Sequence, residues 1–119
     1  MNQDVIIVED EKEKVVFYFS VFCELLKECI AKYGNMPFDK AEQLVDNAAF
    51  LQPEISSVVD IVFFSHESAF HWAMIILYGD NYWQTHLEYA IIPDDYDAFE
   101  TEIFARYHLE DCYDFIDKR

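Results

Sequence analysis

The sequence has few glycines, few prolines and few basic residues. It contains two glycines and three prolines in 119 residues. Folds built from many short strands and tight turns usually need more of both, so the composition favours helices. Eight Lys and Arg residues stand against 24 Asp and Glu, which gives a net charge of −16 at pH 7. Such a surface repels phosphate groups, so direct binding to nucleic acid or to an anionic membrane is excluded.

Export and membrane signals are also lacking. No basic segment followed by an apolar stretch opens the chain, so no signal peptide is expected. The most apolar stretch, residues 55–78, is interrupted by Asp60, His66, Glu67 and His71, so no membrane span is predicted. The three cysteines form no CxxC pair, which is typical of reduced thiols. We therefore expect a cytoplasmic protein.

Apolar residues are abundant and their spacing is mainly helical. Hydrophobic residues make up 53% of the chain, enough for the core of one domain spanning residues 1–119. The spacing predicts helices over residues 11–33, 39–51, 69–78 and 94–107, and a short last helix over 109–116. Residues 4–10 fit one short strand. Residues 54–64 favour helix over strand, and residues 82–92 stay unassigned. The prediction is an all-α, compact single-domain bundle of five or six helices, with at most one short N-terminal strand.

No catalytic or metal-binding motif accompanies this pattern. His66 and His71 flank Glu67, but five residues place them about 140° apart around a helix, which prevents chelation of one ion. The chain has no G-x-S-x-G motif and no glycine-rich phosphate loop. The sequence therefore predicts a protein that is not an enzyme and has no catalytic residues, metal ligands or cofactor.

The acidic C-terminal third is the candidate binding surface. Carboxylates interleaved with tyrosines suit a basic protein partner, since opposite charge speeds encounter and buried aromatic rings supply binding energy. The predicted partner-binding residues are Asp97, Glu100, Glu102, Glu110, Asp111, Asp114, Tyr96 and Tyr113.

In size, helical character and acidity the chain resembles small bacterial immunity proteins. That resemblance implies an inhibitor that covers the basic surface of a cognate toxin, such as a nuclease. A nucleic-acid mimic, which requires acids spaced like phosphates, belongs to the same class. Two alternatives stay open at this point: a small metal-dependent enzyme built around Glu67 and His71, and a homodimeric regulatory or scaffold subunit.

Overall fold

A computed structural model describes residues 5–118, which form a single compact domain with a three-stranded sheet and six helices. The strands are β1 (Ile6–Glu9), β2 (Glu13–Phe17) and β3 (Tyr113–Asp117). The helices are α1 (Phe19–Tyr33), α2 (Phe38–Asp46), α3 (Val58–Ser65), α4 (Ala69–Tyr78), α5 (Tyr82–Thr85) and α6 (Tyr96–Ala105). Single 3-10 turns occupy Ala49–Leu51 and Leu87–Tyr89. The domain is 54% helical.

The sheet is antiparallel, in the order β1-β2-β3. The turn between β1 and β2 is held by the Asp10 carboxylate, which accepts the main-chain N–H groups of Lys12 at 2.8 Å and Glu13 at 2.9 Å. These bonds lower the pKa of Asp10. In the central strand Phe17 lies opposite both Ile6 of β1 and Tyr113 of β3. The sheet thus joins segments from both ends of the described chain.

One predicted helix is too long and another is absent where the sheet forms, so the domain is mostly helical rather than all-α. The helix predicted over residues 11–33 begins only at Phe19, because residues 13–17 form β2 with Val15 and Phe17 buried on one face. The helix predicted over 109–116 is replaced by β3. Alternation with a period of two, completed by pairing with distant strands, prevails over the helical spacing in both segments. The short N-terminal strand is confirmed, as is a mostly helical single domain.

The central helices agree closely with the prediction. Residues 58–65 are helical, and the helix starts with a capping box in which the Ser57 hydroxyl accepts from the Asp60 N–H. Helix α4 has the predicted bounds, with Ser68 as its N-cap and Gly79 after its end at φ 93°. The unassigned residues 82–92 form the short α5 and one 3-10 turn.

Two other helices are shorter than predicted. Helix α2 ends at Asp46, its N-cap is Pro37, and Asp39 lies inside its first turn. Helix α6 spans Tyr96–Ala105, where the sequence predicted a helix over residues 94–107. Asp95 makes no cap bond to this helix and instead accepts from the Tyr33 hydroxyl at 2.8 Å.

Aromatic side chains connect the layers of the domain. The Phe17 ring stacks on Tyr113 at 4.8 Å and contacts Phe22 and Phe64, which joins the sheet to α1 and α3. The Trp72 indole N–H donates to the Phe64 carbonyl at 2.9 Å, so α4 is tied to the end of α3. These contacts bring β3 next to the α3–α4 corner, and α6 lies beside both so that the three elements line one cleft.

Within residues 5–118 no single helix is both long and apolar enough to cross a bilayer. Helices α3 and α4 together have the required length and composition, but they are bent by 79° relative to each other.

Candidate functional site: an acidic cleft beside strand β3

A cleft of about 370 Å³ opens between β3, the α3–α4 corner and α6. Its polar wall carries three carboxylates from three segments that are distant in the chain: Glu67 at the corner, Glu100 on α6 and Asp111 before β3. The cleft is also lined by two aromatic residues of β3, Tyr113 and Phe115, and by His66 at the corner. We call this feature the acidic cleft.

Glu100 is the most buried carboxylate of the acidic cleft. It is half-buried on α6 and accepts a hydrogen bond from the Tyr96 hydroxyl, one turn earlier, at 2.9 Å. Burial raises the pKa of Glu100, the Tyr96 hydroxyl lowers it, and the charges of Asp111 and Asp97 raise it again. Together these effects place the pKa of Glu100 above the ordinary glutamate value, because Glu100, Asp111 and Asp97 share a poorly hydrated space. A cation entering the cleft would relieve this repulsion.

Asp111 and Cys112 fix the start of β3. The Asp111 carboxylate accepts the N–H of Cys112 at 2.7 Å, and the Cys112 carbonyl accepts the N–H of Tyr18 at 2.8 Å. The Cys112 thiol is buried, and burial followed by the charges of Asp111 and Glu100 raises its pKa. A thiol in this environment is a poor nucleophile, so the cleft does not resemble a cysteine-dependent active site.

Tyr113 carries the one buried side-chain polar atom among residues 5–118 that has no hydrogen-bond partner. Its ring is held by stacking on Phe17, so the hydroxyl cannot swing freely to water. Burial raises the pKa of Tyr113, as do the nearby Cys112 and Asp111. The Cys112 thiol is close enough to contribute, but a thiol is a weak acceptor. The hydroxyl therefore lacks a strong partner next to the acidic cleft.

Basic side chains are lacking around the acidic cleft, since none of the residues that line it is Lys or Arg. The ion pairs described for residues 5–118 engage other carboxylates. They join Lys27 to Glu42 and Asp46, Lys32 to Asp95, Arg106 to Glu28 and Lys118 to Glu9. The negative charge of the cleft is thus left without an internal counter-charge from these pairs.

The structure brings together only part of the sequence-predicted binding surface. Glu100, Asp111 and Tyr113 line the cleft, Asp97 acts on Glu100 through its charge, and the buried Tyr96 supports Glu100 from behind. The other three predicted residues point elsewhere. Glu102 adds to the charge around Arg106, Asp114 accepts from the Tyr18 hydroxyl at 3.2 Å, and Glu110 is exposed in the loop before Asp111.

Most residues that line the cleft were not among the predicted binding residues, and three of these, His66, Glu67 and Phe115, bear on binding. The sequence pattern around His66 and Glu67 suggested only a metal motif, and Phe115 was predicted neither on a strand nor on a binding face. Among residues 5–118 no group of three or more His, Cys, Asp or Glu side chains is placed to hold a metal ion. His71 instead has its Nδ1 atom 2.9 Å from the Tyr82 hydroxyl oxygen.

A second concave surface, of about 410 Å³, runs along α3 and is mainly apolar. It is lined by Pro53, Ile55, Val59 and Phe63, and the last two side chains are 76% and 54% exposed. None of the sequence-predicted binding residues lies there. Of these two concave surfaces, only the acidic cleft contains them.

The chain matches no protein-family model, no curated protein and no solved structure.

Proposed function

We propose that this chain is an acidic binding protein that neutralises a basic protein partner, as an immunity protein blocks its cognate toxin in the cytoplasm. The observation that carries the proposal is the acidic cleft, in which Glu67, Glu100 and Asp111 meet without a lining Lys or Arg. A cationic side chain of the partner enters this cleft and replaces the missing counter-charge. The three buried free thiols are in keeping with a reducing compartment.

The mechanism is occupation of a basic surface. A nuclease groove is basic because it binds phosphate, and the net charge of −16 draws such a groove toward this protein from a distance. Once docked, the carboxylates of the cleft hold the partner's Lys or Arg side chains that would otherwise contact phosphate. Because Glu100 is half-buried, these charge pairs form in a partly dehydrated space where they are stronger than on an open surface.

Proton release accompanies this step. Glu100 has a raised pKa because of burial and neighbouring acids, so a cation beside it lowers that pKa again. Binding is therefore expected to release protons at pH values near the raised pKa, and to weaken as the pH falls below it.

The test begins with capture of partners by the tagged protein from a lysate of the cell that produces it, at low and high salt. The recovered basic protein is then purified, and its affinity and its own activity are measured with and without this chain. We expect one basic partner whose activity is lost on binding and whose association rate falls as salt rises.

Matched variants locate the interface. Glu67→Gln with Asp111→Asn removes two exposed charges from the acidic cleft, and Glu54→Gln with Glu88→Gln removes two exposed charges elsewhere. The cleft pair is expected to weaken partner binding at least tenfold, about 1.4 kcal/mol, because close charge pairs at interfaces carry that much or more. The control pair should change it far less. Equal effects of the two pairs would show that only net charge matters and that the cleft is not the site.

A further inference from the structure

One edge of the sheet is open beside the acidic cleft. Strand β3 pairs with β2 on one side, and no strand of residues 5–118 pairs with it on the other. The N–H of Tyr18 donates to the Cys112 carbonyl, and the N–H of Lys118 donates to the Lys12 carbonyl. These bonds show that the even-numbered residues 112–118 direct their main-chain groups toward β2. By alternation, Tyr113 and Phe115 direct theirs toward the open edge.

The same two residues face the cleft with their side chains. Tyr113 and Phe115 both line it, and Phe115 is 48% exposed. In an antiparallel pair, residues that exchange main-chain hydrogen bonds carry their side chains on the same face. A strand added antiparallel to β3 would therefore bond Tyr113 and Phe115 through alternate residues, and the side chains of those residues would point into the acidic cleft.

Charge decides which strand can be added. Strand β3 carries Asp114 and Asp117 and no basic residue, and the cleft beside it carries three more carboxylates. A second copy of the chain would bring the same acids against this edge, and like charges on directly opposed residues are destabilising. A segment with Lys or Arg at alternate positions has the complementary charge.

We propose that β3 receives an extended basic segment of the partner as a fourth, antiparallel strand, with alternate Lys or Arg side chains held in the acidic cleft. This inference rests on the proposed function and adds the form of the ligand: main-chain hydrogen bonds supply part of the affinity, and the cleft selects the charge. The Tyr113 hydroxyl then faces a segment rich in polar groups, and the exposed Phe115 ring packs on its aliphatic side chains.

The test uses a synthetic peptide of four Arg-Val repeats and two methylated versions of it. N-methylation of the arginines removes the N–H groups that would donate to β3, whereas N-methylation of the valines blocks those on the far edge. Binding is followed by NMR, from the amide signals of Tyr113 and Phe115. We expect the parent peptide and the valine-methylated peptide to bind alike, and the arginine-methylated peptide to bind at least tenfold more weakly. A Glu-Val peptide of the same length should not bind.

Each other result overturns the inference in a defined way. Equal binding of all three basic peptides would mean that the cleft takes cations without strand pairing, and the proposed function would stand. Weakening by valine methylation alone would mean that the added strand is parallel. Failure of the parent peptide to bind, together with cleft-dependent binding of the purified partner, would reject strand addition only. A stable dimer of the free protein by light scattering, paired through β3, would replace the basic segment by a second copy.

A matched pair of protein variants separates the cleft from the edge. Glu100→Gln with Asp111→Asn is expected to weaken binding of the parent peptide severalfold or more, whereas Glu54→Gln with Glu88→Gln, which removes two exposed charges away from the cleft, should leave binding unchanged. An unchanged affinity for the cleft variant would show that the arginines do not enter the cleft.

Discussion

Two tyrosines near the acidic cleft offer a direct test of the geometry, because the same substitution should have opposite effects at each. The Tyr96 hydroxyl donates to the Glu100 carboxylate at 2.9 Å and the residue is 2% exposed. The Tyr113 hydroxyl is buried with no partner stronger than the Cys112 thiol. We therefore expect Tyr96→Phe to destabilise the protein and Tyr113→Phe to leave it unchanged or stabilise it.

The magnitudes follow from the hydrogen bonds lost. A hydrogen bond to a charged group contributes about 1.5–3 kcal/mol, which is the expected loss for Tyr96→Phe. Leaving a buried polar group unsatisfied costs about 1–3 kcal/mol, so removing the Tyr113 hydroxyl should recover about 1 kcal/mol. The unfolding entropy of a 119-residue domain is about 0.25 kcal/mol/K, so 1 kcal/mol corresponds to a shift of about 4 °C in the unfolding midpoint.

The assay is thermal unfolding followed by circular dichroism, with urea unfolding as a second measure of the free energy. The expected shifts are about 6–12 °C downward for Tyr96→Phe and up to about 4 °C upward for Tyr113→Phe. A downward shift of 4 °C or more for Tyr113→Phe would refute the reasoning, since it would mean that the hydroxyl has a strong partner in the folded protein. Because both variants retain their rings, equal downward shifts would mean that both hydroxyls are hydrogen-bonded in the folded protein.

Three further predictions concern titration, the core and the thiols. Because the folded-state pKa of Glu100 is raised, its negative charge destabilises the folded protein above that pKa. Glu100→Gln should therefore raise the unfolding midpoint at pH 7, and this gain should vanish below the ordinary pKa of glutamate. Thermal unfolding measured from pH 4 to 8 would show both effects. Trp72→Phe removes the donor to the Phe64 carbonyl and should cost about 1–3 kcal/mol in urea unfolding; a cost below 0.5 kcal/mol would contradict a satisfied buried bond. Burial raises the pKa of Cys23 to about 12 and also raises the pKa values of the other two thiols. A thiol reagent at pH 8 should therefore react far faster with the denatured protein than with the folded protein. Equal rates would mean that the thiols are exposed in the folded protein.

The sequence predicted the central helices well because local signals determine them. Helix α4 lies between a serine that caps it and a glycine at φ 93°, and both signals are visible without any tertiary information. The helical assignment of residues 58–65 also follows from local spacing, and the capping box of Ser57 and Asp60 is a further local signal at its start.

The sheet could not be predicted in the same way, because its stability comes from distant pairing. Val15 fits a helical stripe with Phe19 and Phe22 as well as it fits a strand, whereas Phe17 fits only the alternation of a strand. What decides between the two is the presence of β1 on one side and β3 on the other, and β3 lies almost a hundred residues away. The 113–117 segment has the same ambiguity, since its aromatic and acidic residues fit either period.

The candidate site was predicted in part for the same reason. Acidity and interleaved tyrosines identified Glu100, Asp111 and Tyr113, which do meet in the cleft. Placing residues 109–116 on a helix put Asp114 on the same surface, whereas alternation along β3 turns it to the opposite face of the sheet. Glu67 joins the site only through the corner between α3 and α4, and nothing in the sequence links that corner to the C-terminal third.

The position of β3 in the chain has a consequence for when the protein becomes able to act. Tyr18 and Asp114, whose side chains meet across the β2–β3 pair, are 96 residues apart. During synthesis the helical part of the domain can begin to fold as it emerges, but β2 gains its second partner, and the acidic cleft its wall, only after every other described element has been made. A ribosome-bound chain that has not reached β3 therefore offers neither the β3 edge nor the Asp111–Phe115 wall of the acidic cleft, so binding depends on the last of the described strands.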